Sequence, residues 1–405
     1  MKFDRKFFIG IVLLTFLIGT GIYATKHKSA NMLAGDVTMG TSSPMQFQPE
    51  AQMLTEALNA PTQESMNKSD NPPTPDVPVT AGKNGQKYSY DKTICTNSSM
   101  KPYFCLSAYY KDIVSNYGSG TAIQDIKQRY NVNPDVVTQC HPLMHIIGRE
   151  SSKSYGSVSE AYQHGDNFCW SGYYHGVMEG IIAKIGIKKL PEELNTICAD
   201  IPGKESYNFA YYNCVHGLGH GIMEVEKDED NVFDALKTCD YLSGEWERKS
   251  CYSGVFMENI IAAGYNGTSE FLKPTDPFYP CDAVDSQYKQ TCYLGQTSYA
   301  LQITHGDFTK VSTMCATLPS SLRSICDQSL GRDAASYARH DPAGTKAYCF
   351  AQGTPDDKIQ CSYGAAKEMV SNYHSNVQAT AFCNLLDKDY KEKCQAETDA
   401  YYSRL

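Results

Sequence analysis

The chain has 405 residues of which 41% are hydrophobic, enough for one large domain or two ordinary ones with a packed core. Its formal net charge of -9 and a pI near 5.6 come without any dense Lys/Arg block beyond the N-terminus. That balance excludes a basic phosphate-binding face, so no nucleic-acid partner is expected.

The first element is "MKFDRKFFIGIVLLTFLIGTGIYATKHK": Lys2, Arg5 and Lys6 precede an uncharged apolar run from Phe7 to Ala24, and Lys26 and Lys28 come after it. A run of this length is short for a membrane span and slightly long for the core of a signal peptide. Both readings export the rest of the chain. Cleavage after Ala24 would leave Ile22 at minus three, where a small residue is preferred, so residues 1–25 are expected to be an uncleaved signal-anchor helix with its N-terminus inside. The chain would then be membrane-anchored and extracytoplasmic, or secreted if this segment is cut. Residues 26–92 are poor in bulky apolar side chains and rich in Pro, Ser, Thr, Asn and Gln, which predicts a flexible tether.

All sixteen cysteines lie at or beyond Cys95, on the exported side, and no C-x-x-C occurs. Structural disulfides are the expectation, rather than zinc knuckles or a thioredoxin-type pair. From the C-terminus the cysteines fall into Cys383/Cys394, Cys349/Cys361, Cys315/Cys326, Cys281/Cys292, Cys239/Cys251 and Cys198/Cys214, and the first members recur at intervals of 34, 34, 34, 42 and 41. Cys95/Cys105 fits the same short spacing. Cys140 and Cys169 are left for each other by elimination. Pairing between neighbouring repeats is the alternative that spacing leaves open.

The second cysteine of most pairs opens a C-x-x-G phrase: "CWSGYYHGVMEG", "CVHGLGHGIMEV", "CYSGVFMENI", "CYLGQTSYAL", "CSYGAAKEMV". Apolar residues then recur at helical spacing, so the unit reads as a helix, a cysteine-closed connection and a second helix. The period is similar to that of tetratricopeptide and Sel1-type repeats, without the Trp-Leu-Gly-Tyr signature of the first, and implies helical hairpins only. The expected fold is all-α, with disulfide-stapled helical-hairpin repeats stacked as an α-solenoid or an α/α toroid behind the N-terminal anchor. Residues 93–280 form its His/Glu-rich region and residues 281–405 its C-terminal repeats.

Of ten histidines, five lie in or beside the cysteine-led phrases of the first units. "CHPLMHIIGRE" sets His141 and His145 four apart, "YHGVME" does so for His175 and Glu179, and "HGLGHGIME" for His216, His220 and Glu224. Four-residue steps share a helix face, and parallel stacking points equivalent faces toward one pocket. The five histidines are therefore the candidate metal ligands, and Glu179 and Glu224 the candidate catalytic carboxylates. Imidazole with carboxylate suits zinc first. Copper comes second, on the strength of Met178 and Met223 beside the two glutamates, although adjacent helix positions face different ways and packing explains these methionines. Arg149 and Glu150 are candidate supporting partners or a surface ion pair, and Ser171 and Ser253 read as helix caps.

Two functions compete. In one, a His/Glu pocket binds a transition metal and supports metal-dependent hydrolysis, though neither G-x-S-x-G nor H-E-x-x-H is present. In the other, the histidines are structural and the chain is a disulfide-stabilised scaffold that takes a protein partner on its later repeats.

Overall fold

The computed structural model describes residues 87–405 except 97, 226–231, 267–268, 352 and 404–405. The expected anchor and nearly all of the expected tether lie outside the described residues. Among the described residues no helix is long and apolar enough to cross a membrane.

The described residues form sixteen α-helices and no strand. Nine long helices succeed one another: α1 (Pro102–Tyr117), α3 (Pro134–Ser151), α5 (Gly172–Ile185), α7 (Phe209–Val225), α9 (Glu245–Asn266), α10 (Ser286–Ile303), α12 (Ser320–Tyr337), α14 (Pro355–Tyr373) and α16 (Lys388–Tyr402). Between them lie the short helices α2 (Ser119–Tyr130), α4 (Val158–Gln163), α6 (Leu190–Ile197), α8 (Val232–Cys239), α11 (Phe308–Cys315), α13 (Pro342–Phe350) and α15 (Val377–Asn384). Each long helix packs on the next in the series, so the hairpins stack as a repeat array.

Local sequence explains where these helices begin. Asn133 caps α3 by accepting from the amides of Asp135 and Val136, and Pro134 supplies a first residue that needs no amide partner. Thr354 and Asp357 form a reciprocal capping box on α14, again with proline at the start. The second cysteine of each later pair sits inside its long helix instead of opening it. The polar run ahead of it, such as "SQYKQTC" or "SSLRSIC", has the residues of a solvated helix face and winds into the first turns.

All eight disulfides form as expected, seven on spacing and Cys140–Cys169 by elimination: Cys95–Cys105, Cys140–Cys169, Cys198–Cys214, Cys239–Cys251, Cys281–Cys292, Cys315–Cys326, Cys349–Cys361 and Cys383–Cys394. The last six tie a short helix or turn to the long helix after it. Closing loops of this length stabilises a fold by roughly 3 kcal/mol or a little less per bridge in the chain-entropy account. Cys140–Cys169 instead joins α3 to the turn before α5. Eight intramolecular disulfides point to an oxidising, extracytoplasmic environment.

Two glycines let the stack close tightly where it matters most. A Cβ on Gly176 would lie 2.0 Å from the carbonyl oxygen of His145, and one on Gly254 would lie 2.0 Å from that of His216. Only glycine lets α5 touch α3, and α9 touch α7, at backbone contact distance. The array also curls back on itself. Trp170, in the turn before α5, donates to Glu368 of α14 at 3.1 Å, and the Phe209 ring at the start of α7 meets His374 at 4.3 Å.

At the other end, Tyr88 and Tyr90 dock on the first hairpin. The Tyr88 hydroxyl bonds to Tyr109 at 2.7 Å and to Asp125, while the Tyr90 ring lies 4.5 Å from the Arg129 guanidinium. Arg129 is 1% exposed and held by Asp125 at 2.7 Å, a buried pair whose hydroxyl partners satisfy both charges.

Candidate metal centre

The five histidines singled out in the sequence converge. His141 and His145 come from α3, His175 from α5, and His216 and His220 from α7; all are between 0% and 7% exposed. Neighbouring ring centroids within the cluster are 4.4–5.4 Å apart, from the stacked His175–His220 pair to His145–His175. Two imidazoles ligating one ion at about 2.05 Å, at angles of 90–109°, have nitrogens about 2.9–3.3 Å apart. Here His141 Nε2 lies 2.9 Å from His145 Nε2, and His216 Nε2 lies 3.1 Å from His220 Nε2.

The outward-facing nitrogens fix the tautomers. His141 Nδ1 is 2.7 Å from the carbonyl oxygen of Cys169, which can only accept. His145 Nδ1 donates to Glu179 Oε1 at 2.5 Å, and His220 Nδ1 donates to Glu258 Oε2 at 2.8 Å. Ser253 Oγ gives its proton to the Ser250 carbonyl at 2.7 Å and so accepts from His216 Nδ1, also at 2.7 Å. Four Nδ1 atoms therefore carry protons. The four Nε2 atoms carry lone pairs instead, and within each pair they face each other in the buried interior. Two lone pairs at such a distance repel unless a proton or a metal ion lies between them.

Burial opposes a proton on four of the five rings. Burial pushes His141 down to about 3, with the neighbouring His145 adding to it, and burial pushes His216 down to about 4. His175 and His220 are driven well below the ordinary imidazole value by burial and by the other rings. Neutral imidazole is the metal-binding form, and a carboxylate or carbonyl on the second nitrogen is the usual way of orienting such a ligand. The donor set fits a transition metal. Three groups have ligand atoms within 4.8 Å of one another: His141/His145/His175, His175/His216/His220, and His145/Glu179/His220/Glu258.

Behind the rings lies a carboxylate layer. Glu179 is fully buried; burial pushes its pKa up, but His145 and Arg149 outweigh this and hold it at about 2. Arg149 reaches Glu179 Oε2 from two of its nitrogens, at 3.0 and 2.5 Å, and Glu224 Oε1 at 2.8 Å. Glu179, Glu224 and Glu258 thus place three carboxylates around Arg149 and the rings.

Some of these partners are not visible in the sequence. Glu258 and Ser253 lie in the next unit, at places where the phrase has lost its histidines. Ser253 sits within α9, and its hydroxyl serves His216 and the Ser250 carbonyl rather than capping a helix; Ser171 precedes α5 but makes no cap bond. Arg149 proves to be the supporting partner, whereas Glu150 pairs with Lys153 at 2.6 Å near the surface. Met178 is fully buried in the apolar core, as packing predicts. The other described histidines stay apart from the cluster: His164 stacks on Tyr155, His340 is 3.6 Å from Glu368, His374 contacts Asn167 and Phe209, and His305 occupies a turn.

The turn that orients His141 is strained. Cys169, Trp170 and Ser171 are successive non-glycine residues with φ of 53°, 53° and 60°. Each such residue costs on the order of 1 kcal/mol or more, and the Cys140–Cys169 bridge holds them there. The reward is the Cys169 carbonyl aimed at His141. Comparison of the chain with protein-family models, with curated proteins and with solved structures finds no match.

Proposed function

We propose that this is an extracytoplasmic transition-metal-binding protein, held at a membrane by residues 1–25, whose centre is the five-histidine pocket between α3, α5 and α7. The observation that carries the reading is the pairing of facing Nε2 atoms at 2.9 and 3.1 Å in buried histidines whose Nδ1 atoms are engaged by oxygen. Histidines serving only as packing would present a donor to an acceptor. Zinc is the first choice, because the ligands are imidazoles and the thioether of Met178 is spent in the core. The membrane placement rests on the charged-then-apolar N-terminal sequence.

Hydrolysis is the reaction class that suits the site. Zinc held by three of these imidazoles would supply Lewis acidity for activating water near neutral pH. Both oxygens of Glu179 are engaged, by His145 and by Arg149, so its role is to orient His145. Glu224, 16% exposed in its side chain and paired with Arg149 at the edge of the site, is the better placed of the two candidate carboxylates for proton transfer.

The test is metal analysis of the untagged full chain purified without chelators. Stoichiometric transition metal, diminished in the His216→Ala/His220→Ala variant at unchanged helix content, is expected. A wild-type chain that neither retains nor takes up metal would overturn the proposal.

A further inference from the structure

The two histidine pairs repeat one arrangement two units apart. On α3, His141 and His145 lead by equal steps to Arg149; on α7, His216 and His220 lead by the same steps to Glu224, and the two end residues pair with each other at 2.8 Å. In each pair the first histidine donates from Nδ1 to a neutral oxygen of a later unit, Cys169 O or Ser253 Oγ. The second donates to a carboxylate on the next long helix, Glu179 or Glu258. Each pair then presents two Nε2 lone pairs to its own gap.

His175, on the intervening helix α5, stands between the pairs. Its ring centroid lies 5.3 and 5.4 Å from those of His141 and His145, and 4.9 and 4.4 Å from those of His216 and His220. It belongs to both three-histidine groups. It also differs from the other four in one respect: its buried Nδ1 has no protein partner. The five rings form a strip: His141 and His216, at opposite ends, each contact His175, while His145 and His220 meet beside it with centroids 5.2 Å apart.

We propose that the centre is dinuclear: one divalent transition-metal ion sits on His141 and His145, a second on His216 and His220, and His175 is the ligand they share. This rests on the reading of the pocket as a metal centre. Bridging uses both nitrogens of His175, so its ring proton leaves to solvent as the second ion binds, and the resulting imidazolate offsets one of the added charges.

Copper(II) titration of the metal-stripped full chain tests this, with bound metal measured by mass spectrometry and the spins by electron paramagnetic resonance. The wild type should take two ions, and its signal should fall as the second binds, because an imidazolate couples the spins. The variants His141→Ala/His145→Ala and His216→Ala/His220→Ala should each take one, and His175→Ala should lose the coupling. One ion per wild-type chain, or a signal that grows in proportion to copper up to two, would overturn the dinuclear proposal while leaving a metal centre intact. No binding at all would remove both readings. Should a double variant fail to fold by circular dichroism, the wild-type stoichiometry and spin coupling decide alone.

Discussion

The early units, α3 to α9, and the later units, α10 to α14, are built on the same stack of long helices and the same cysteine clips, yet they treat their inward polar positions differently. Six residues after the clip cysteine, the early units carry His175 and His220, whereas the later ones carry Ser298, Arg332 and Lys367. The later set satisfies itself. Arg332 bonds to Ser298 Oγ at 2.6 Å and to the Leu294 carbonyl at 2.9 Å, Asp333 accepts from Ser298 at 2.8 Å and from Thr297 at 2.6 Å, and Lys367 reaches Glu397 at 2.8 Å. The early set does not, because its donors point outward and its lone pairs face one another. A polar network closed within the protein stabilises a fold; one that needs a cation to close makes a binding site.

The contrast can be broken experimentally, and the largest effect should come from removing metal. A ligand at a thousandfold its Kd adds about 4 kcal/mol to stability. Chelation should therefore lower the unfolding temperature and, by hydrogen exchange, loosen α3, α5, α7 and α9 well before α12 and α14. Uniform loosening of both halves would count against the division. Next, Glu258→Gln weakens the hydrogen bond that orients His220. Loss of such a support behind a metal ligand typically costs about 10–100-fold in metal affinity, readable by competition with a chromophoric chelator. In the later half, Asp333→Ala strips Arg332, Ser298 and Thr297 of a shared partner and should cost about 1–3 kcal/mol in urea unfolding while metal content stays unchanged.

The smallest effect concerns pH. Asp327 of α12 is buried, and burial together with the charge of Asp357 pushes its carboxyl up to about 8. Since the folded value exceeds the unfolded one of about 3.9, the neutral form's contribution to stability is full below about pH 4 and is lost as pH rises through about 8. Asp327→Asn should then match the wild type near pH 4 and be the more stable of the two at pH 9. Equal stabilities at pH 9 would contradict the assignment.

Much of this organisation is legible in the sequence, because it is periodic. Repeat length, helix class, the short-spaced cysteine pairs and the five converging histidines are suggested by spacing, since equivalent positions in a stacked array point the same way; Cys140 and Cys169 follow only by elimination. What spacing hides is whatever breaks the period. Glu258 serves His220 from a unit whose own histidine place is filled by Met257, and Arg149 meets Glu224 only because α3 and α7 both flank α5. The left-handed turn at Cys169–Ser171 contains no glycine to announce it. It exists because a disulfide and a hydrogen bond to His141 overrule local preference.

The proposal that a metal ion, not a proton, closes the gap between the facing Nε2 atoms is tested most directly by zinc K-edge X-ray absorption on the zinc-loaded full-length chain. A shell of nitrogen at about 2.0–2.1 Å with the outer scattering of imidazole rings is the expected result. An oxygen-only shell like that of the hydrated ion, or zinc that washes away, would contradict it.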